Sequence, residues 1–148
     1  MYVHNIDNCV FVNCNLSNVT FSETVLYKTK FINCKMQGTF FDECRFEETE
    51  FSNVNGRYVN YSMCNLKKVR IEECDFSDSR IMECEMQKVE LDKVNFKKAE
   101  FINVKMKNIN FSNSNIENII TDLNSLKGIK VNAAQALSLS IFLGIEIV

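Results

Sequence analysis

Large apolar residues recur at every fifth position along most of this chain. In the phase that runs 6, 11, 16 and onward to 116, every position except Gly56 holds one, and we call these the anchor positions. Two residues before each anchor lies a slot position, which usually holds cysteine, threonine or valine. A period of five fits neither an α-helix nor a straight strand. A period of five allows both the anchor and the slot residues to be buried if the backbone changes direction once in every five residues. The reason is that residues two apart in an extended chain point to the same side. The pattern therefore predicts a winding solenoid.

The units Cys14-Asn15-Leu16, Cys64-Asn65-Leu66, Cys74-Asp75-Phe76 and Val94-Asn95-Phe96 resemble the pentapeptide repeat family. That family repeats a small residue, then aspartate or asparagine, then leucine or phenylalanine, then two variable residues. The resemblance covers about residues 4 to 131, and the chain departs from it by using cysteine, valine and threonine where alanine is commonest. It implies an all-β fold, a right-handed quadrilateral parallel β-helix with four pentads per coil, so that residues 20 apart stack.

Gly56 interrupts its column of anchors between Met36 and Phe76. We expect a tolerated defect, with a local bend or a void. The alternative is that Tyr58 folds over the gap.

The periodicity changes near the C-terminus and predicts a helix. Asn132 can cap a helix and Gln135 completes a capping box, while Gly144 stands where a left-handed terminator is expected. We therefore divide the chain into a β-helix over residues 1–131 and a C-terminal capping and dimerisation helix with its tail over residues 132–148. The last four residues, 145–148, read as a short strand or an extended tail.

The apolar surface of this helix is broader than one contact needs. The open end of a β-helix must be covered, so we expect one face of the helix to seal the last coil and the other to bury against a second chain. The resemblance implies a head-to-head homodimer through this end, and a monomeric cap is the alternative. The candidate dimer residues are Leu137, Leu139, Ile141, Phe142 and Leu143.

The seven cysteines all lie in slot positions, which favours buried structural thiols over metal ligands or disulfides. His4 is the sole histidine, so no Ser-His-Asp arrangement exists, and no phosphate-binding glycine motif occurs. We expect no enzyme, no cofactor and no bound metal. A metal-binding or enzymatic role is kept as the weakest alternative, because carboxylates and thiols cluster.

Composition limits the possible locations and partners. The start of the chain lacks the features of a secretory signal and no run of 18 apolar residues occurs, so we expect a cytoplasmic protein that does not enter a membrane. The 148 residues carry a net charge of −2, which is not the basic footprint of a direct nucleic-acid binder.

Acidic residues concentrate in two stretches of the middle of the chain. We therefore predict an interaction scaffold of unspecified partner. The alternative is a DNA-mimicking regulator of DNA gyrase or a related topoisomerase, because some bacterial members of the resembled family act in this way and protect against quinolones. The net charge of −2, with basic patches, argues against efficient mimicry. The candidate partner-binding residues are Asp42, Glu43, Glu47, Glu48, Glu50, Glu72, Glu73, Asp75 and Asp78.

Overall fold

The structure is a computed structural model, and it describes residues 4–148. Within these residues the chain forms sixteen short strands, one α-helix, α1 (Ala133–Leu139), and a 3-10 helix at Ser140–Leu143. The strands are β1 (His4–Asp7), β2 (Val10–Val12), β3 (Thr20–Ser22), β4 (Thr24–Tyr27), β5 (Lys30–Ile32), β6 (Phe40–Asp42), β7 (Arg45–Glu47), β8 (Glu50–Ser52), β9 (Asn60–Ser62), β10 (Asn65–Lys67), β11 (Arg70–Glu72), β12 (Arg80–Met82), β13 (Glu85–Gln87), β14 (Glu90–Asp92), β15 (Glu100–Ile102) and β16 (Ile120–Thr121).

The strands line four sides of a tube. The first side consists of β1, β4, β7, β10 and β13, the second of β2, β5, β8, β11 and β14, and the fourth of β3, β6, β9, β12, β15 and β16. Isolated parallel bridges, such as Asn15 with Lys35, form the third side. Pairing is parallel between residues 20 apart, as in Phe11 with Phe31. The right-handed quadrilateral parallel β-helix with a short C-terminal helix is confirmed.

The anchors fill the inside of the tube. Phe11, Phe31 and Phe51 stack in one column with ring centroids 5.0 and 4.9 Å apart. A second column on the fourth side leads from Phe21 through Phe41 to Tyr61, with 5.0 Å at both steps. Each fully buried anchor contributes about 1.5–3 kcal/mol through the removal of apolar surface from water.

Most slot cysteines and threonines fasten their coil to the preceding one. The Cys44 thiol donates a hydrogen bond to the Phe21 carbonyl at 3.2 Å, and the Thr39 hydroxyl donates to the Leu16 carbonyl at 2.7 Å. Each donor lies 23 residues after its acceptor, which places the bond between coils. Alanine cannot make this bond, so the preference of this chain for cysteine and threonine has a physical reason.

The corners of the tube lie in left-handed backbone conformation. Twenty-one non-glycine residues in the described range 4–148 have positive φ, and nearly all of them lie two positions after an anchor. Eight of these residues are asparagine, which tolerates this region better than most residues do. The corners therefore need neither proline nor many glycines.

The expectation of a bend, a void or a Tyr58 cover at Gly56 is wrong. Gly56 is buried, and a Cβ added there would lie 2.5 Å from the Phe76 ring, so this ring already fills the space. Tyr58 is 56% exposed. The main chain stays regular, with the Gly56 N–H donating to the Asp75 carbonyl at 2.7 Å.

The C-terminal helix follows the predicted capping box. The Asn132 side chain accepts from the Gln135 N–H, and the Gln135 side chain accepts from the Asn132 N–H. The Gln135 amide also donates to the Phe111 and Ser114 carbonyls, both at 2.8 Å, which ties the helix to the tube. No strand forms at residues 145–148. The division at residue 131 stays a prediction.

Candidate interaction surface

Charge is sorted by side around the tube. Together with the corner after each strand, the fourth side carries six acidic side chains, against Arg80 as the one basic residue in the described range. These residues come from five different coils and meet because residues 20 apart stack. We call this surface the acidic side. Its carboxylates are Glu23, Asp42, Glu43, Glu83, Glu100 and Asp122.

The acidic side also carries outward-facing apolar side chains. Met63 is 46% exposed, and Met82 and Ile102 are neighbours in register on adjacent strands. Exposed apolar groups gathered on one surface typically mark an interaction site. The full set is Phe40, Met63, Met82, Ile102, Ile120 and Leu123.

Most carboxylates of the acidic side lack a cationic partner. Arg80 pairs with Glu100 at 3.0 Å, whereas Glu23, Glu43 and Glu83 form no ion pair within residues 4–148. Burial alone would raise the pKa of Asp122. Hydrogen bonds from the Asn103 and Ser125 N–H groups and from the Ser125 hydroxyl outweigh burial and hold the pKa of Asp122 below its ordinary value. The remaining carboxylates are free to meet an external cation.

The other three sides differ from the acidic side. The first side is mainly basic, and the second and third sides are mixed and contain ion pairs such as Lys30 with Glu50 and Arg57 with Asp78. A protein of nearly balanced charge thus presents surfaces of opposite sign. The basic residues of the first side and its corners are Lys28, Arg45, Lys67, Lys68, Lys88, Lys105 and Lys107.

The predicted partner-binding residues are spread over all four sides. Asp42 and Glu43 lie on the acidic side, and Glu47 and Glu48 on the first side. The second side carries Glu50, Glu72 and Glu73, and the third carries Asp75 and Asp78. Of the predicted set, only Asp42 and Glu43 belong to the acidic side, and a binding role for the whole set stays a prediction. Sequence reasoning missed Glu23 and Glu83, although each lies a multiple of 20 from Glu43.

The candidate dimer residues divide between two environments. Leu139 packs partly buried against the core, and Phe142 is half-buried. Leu137, Ile141 and Leu143 are 59%, 68% and 65% exposed. A cleft of about 390 Å³ lies between the last coil and the helix. Its lining is mainly apolar and consists of Leu123, Leu126, Lys127, Ile129, Val131, Ala136, Leu139, Ser140 and Leu143.

The cysteines are all free thiols. Cys9 and Cys14 are half-buried and the other five are buried. Hydrogen bonding with the neighbouring Cys44 and Cys84 thiols raises the pKa of Cys64, and burial raises the pKa of Cys74 to about 11. Such thiols stay protonated near neutral pH, which disfavours metal ligation. Among residues 4–148, no group of three or more histidine, cysteine or acidic side chains is placed to hold a metal ion.

No helix in the described part of the chain has the length and apolar character needed to cross a membrane.

A four-sided parallel β-solenoid with one anchor every five residues defines a class of structural repeat proteins. A family profile described as "Pentapeptide repeat region" matches residues 4–81, and a second described as "Pentapeptide repeats (8 copies)" matches residues 79–118. The chain belongs to the pentapeptide repeat family.

Several solved structures are similar to the chain. One is QnrB1, a plasmid-mediated fluoroquinolone resistance protein, at 18% identity with 97% of this chain and 89% of that chain covered and a TM-score of 0.39. Another is a pentapeptide repeat protein of the Arabidopsis thaliana thylakoid lumen, at 11% identity, 94% and 76% coverage and a TM-score of 0.37. At such low identity and TM-score, these alignments support no inference about function. A search of curated proteins found no match.

Proposed function

We propose that the protein is a non-enzymatic interaction scaffold that binds a basic surface of a partner protein through its acidic side. The observation that carries the proposal is the gathering of six carboxylates and six apolar side chains on one side of the tube, while the net charge is only −2. Carboxylates steer a cationic partner to the surface, and the apolar side chains supply contact area once it has docked.

The experiment compares partner capture by three purified proteins. Asp42→Lys/Glu43→Lys/Glu83→Lys reverses charge on the acidic side. Glu47→Lys/Glu48→Lys/Glu73→Lys changes the net charge equally on the first and second sides, where none of the three residues forms an ion pair within the described part of the chain. We expect the same partner to bind the wild type and the control, and to be lost from the first variant. Equal binding by all three proteins would contradict the proposal.

A second candidate function is regulation of DNA gyrase or a related topoisomerase by imitation of DNA. Carboxylates recurring along one side of a rod favour it, because duplex DNA also presents a continuous line of negative charge. The test is a supercoiling assay with purified gyrase, with and without a quinolone, using the same three proteins. We expect an effect from the wild type and the control only. No effect of the wild type at micromolar concentration would exclude this candidate and leave the scaffold proposal standing.

We also propose a homodimer through the C-terminal helix, since Leu137, Ile141 and Leu143 lie exposed beside the apolar cleft. Burial of such side chains is the usual driving force of association. Equilibrium sedimentation should give twice the chain mass of 17.2 kDa. Leu137→Glu/Ile141→Glu should give the monomer, and Ser138→Glu, on the same helix, should stay dimeric. A stable monomeric wild type would overturn the dimer.

The state of the cysteines supports a cytoplasmic location. Seven free thiols suit a reducing compartment, where disulfides are rare. Recovery of the protein in a cell's soluble cytoplasmic fraction would agree with this, and recovery from an oxidising compartment would contradict it.

A further inference from the structure

The wall of the tube opens at the corner between the first and second sides. In the intact wall, the N–H of each corner residue donates to the next coil, as Lys68 does to the Gln87 carbonyl at 3.0 Å. One coil later this pattern fails over five successive main-chain bonds. The bonds absent from the described structure would join Lys107 N–H to Met86 C=O, Lys88 N–H to Lys107 C=O, Asn110 N–H to Val89 C=O, Leu91 N–H to Asn110 C=O, and Ser112 N–H to Leu91 C=O.

Two turns draw the later coil away from its neighbour. Ile109 N–H bonds back to the Met106 carbonyl at 3.1 Å, and Ser114 N–H bonds back to the Phe111 carbonyl at 3.0 Å. Beyond the second turn, Lys93 N–H donates to Asn113, one residue out of the regular register. Regular pairing resumes at Asn95 with Asn115. Before the break, Glu85 is still paired with Lys105, and Met86 N–H donates to the Lys105 carbonyl at 2.7 Å. The wall opening is therefore confined to residues 86–91 on one lip and 107–112 on the other.

A cavity of about 900 Å³ lies between these two lips. Its floor is apolar and includes Met86, Val89, Leu91 and Ile109. Leu91 is the only anchor between Leu26 and Ile116 in the described chain that is not buried. The break in the wall thus exposes part of the core to an outside molecule.

The rim of the wall opening is rich in lysine. Lys88, Lys105 and Lys107 line it with Glu85 and Glu90. None of the three lysines forms an ion pair within residues 4–148, whereas the Glu85 carboxylate already accepts a hydrogen bond from the Gln87 amide at 2.9 Å. The cations that remain available favour an acidic occupant.

We propose that the wall opening binds an extended, acidic peptide segment of a partner protein by strand addition. The two lips lack main-chain bonds through both N–H and C=O groups, and a peptide backbone pairs with both. A simple anion pairs only with the N–H groups, and an apolar ligand pairs with neither. Residues 88–91 span about 13 Å when extended, which suits a segment of about four or five residues. Alternate apolar side chains then contact Val89 and Leu91, and acidic ones reach the lysines.

The experiment uses the full chain and a defined probe. Fluorescein-labelled acetyl-Val-Glu-Val-Glu-Val-amide is titrated and followed by fluorescence anisotropy. We expect saturable binding, about tenfold weaker binding of the Val-Lys-Val-Lys-Val counterpart, and about tenfold weaker binding of an N-methylated acidic peptide that cannot donate main-chain bonds. Hydrogen exchange at the Lys88, Leu91 and Asn110 amides should slow on saturation.

Matched charge reversals locate the site. Lys105→Glu/Lys107→Glu should weaken binding about tenfold, and Lys35→Glu/Lys98→Glu, on the third side, should change it less than about twofold. Lys105→Gln/Lys107→Gln repeats the test if the first variant misfolds. Equal binding of acidic and basic peptides, or no binding at about 1 mM, would overturn the proposal. If charge reversal weakens binding but N-methylation does not, the peptide binds by ionic attraction alone and strand addition is contradicted. The wall opening lies on a different part of the tube from the acidic side. A negative result for peptide binding would therefore leave the scaffold proposal standing.

Discussion

The aromatic core differs between the first coils and the later ones. As far as Phe51 and Tyr61, the rings lie over one another with interplanar angles of 5° to 12°. Beyond them the same columns continue with aliphatic anchors, among them Ile71 and Leu91 on the second side. The remaining rings meet tilted or edge-on, as Phe76 does with Phe96 at 6.2 Å.

This difference indicates which interactions hold neighbouring coils in register. Stacked rings separated by about 5 Å match the spacing of neighbouring strands, so a ring column and a main-chain ladder support each other. The wall opening lies beside Leu91, in the part of the second side that has no ring stack. An unbroken five-residue period is therefore not sufficient for an unbroken wall.

The largest expected effect comes from removing a ring from the stacked region. Phe51→Ala should lower the free energy of unfolding by about 3–5 kcal/mol, because this ring is buried against four others. Leu91→Ala, in the same column, should cost only about 1–2 kcal/mol, because Leu91 is half-buried. Urea unfolding followed by circular dichroism measures both. Equal losses of unfolding free energy in the two variants would contradict the difference between the two regions.

A smaller loss of unfolding free energy is expected at Gly56, which lies at the boundary between the two regions. Gly56→Ala places a Cβ against the Phe76 ring and should cost about 1–3 kcal/mol through overpacking. Phe76→Leu alone serves as the control, and the double variant should lose less than the sum of the two single losses. Strict additivity would show that the ring does not fill the Gly56 space.

Removing a hydroxyl should stabilise the stacked region. The Tyr61 hydroxyl is buried and has no hydrogen-bond partner among residues 4–148, and burial raises its pKa well above the ordinary value. Tyr61→Phe should therefore raise the free energy of unfolding by about 1 kcal/mol. Tyr27→Phe, at a half-buried tyrosine, should change it little. Destabilisation by Tyr61→Phe would mean that the hydroxyl is paired after all.

The effect that is smallest at neutral pH concerns the thiols, and it grows only as the pH rises. Timed alkylation with iodoacetamide, read by mass spectrometry, should label Cys9 and Cys14 before the five buried cysteines. Burial raises the pKa of Cys74 to about 11, above the ordinary value of about 8.5. The unfolded chain therefore loses this proton first, and the free energy of unfolding should fall as pH rises between these two values. Cys74→Ala is the control and should weaken that fall. Early labelling of Cys74 near neutral pH would contradict its burial.

The five-residue period predicted the fold because it shows which apolar side chains are buried. Burial of apolar side chains is the strongest constraint on the fold. It gave the columns through Phe11, Phe31 and Phe51, and the helix cap at Asn132 followed from local hydrogen-bond chemistry. Neither needs knowledge of distant contacts beyond the stacking of residues 20 apart.

The wall opening could not be predicted from the same pattern. Met106, Ile109 and Phe111 obey the anchor and slot phases, so the period gives no warning of the turns around them. The one local signal is a run of asparagines at 108, 110, 113 and 115, a residue common in turns.

The candidate surface was predicted only in part because proximity in sequence was taken for proximity in space. The acidic stretch from Asp42 to Glu50 turns two corners and crosses three sides. The carboxylates of the acidic side come from five different coils, with one or two from each. Sorting positions by their remainder after division by 20 would have grouped Glu23, Glu43 and Glu83.

The wall opening also sets the mechanical behaviour of the rod. A force applied along the axis passes through every layer of coils in series, so the weakest layer determines where the rod yields. The layer between residues 86–91 and 107–112 lacks five of the main-chain bonds that neighbouring layers contain. Under tension the rod should part in this plane, leaving the stacked N-terminal coils as one intact block.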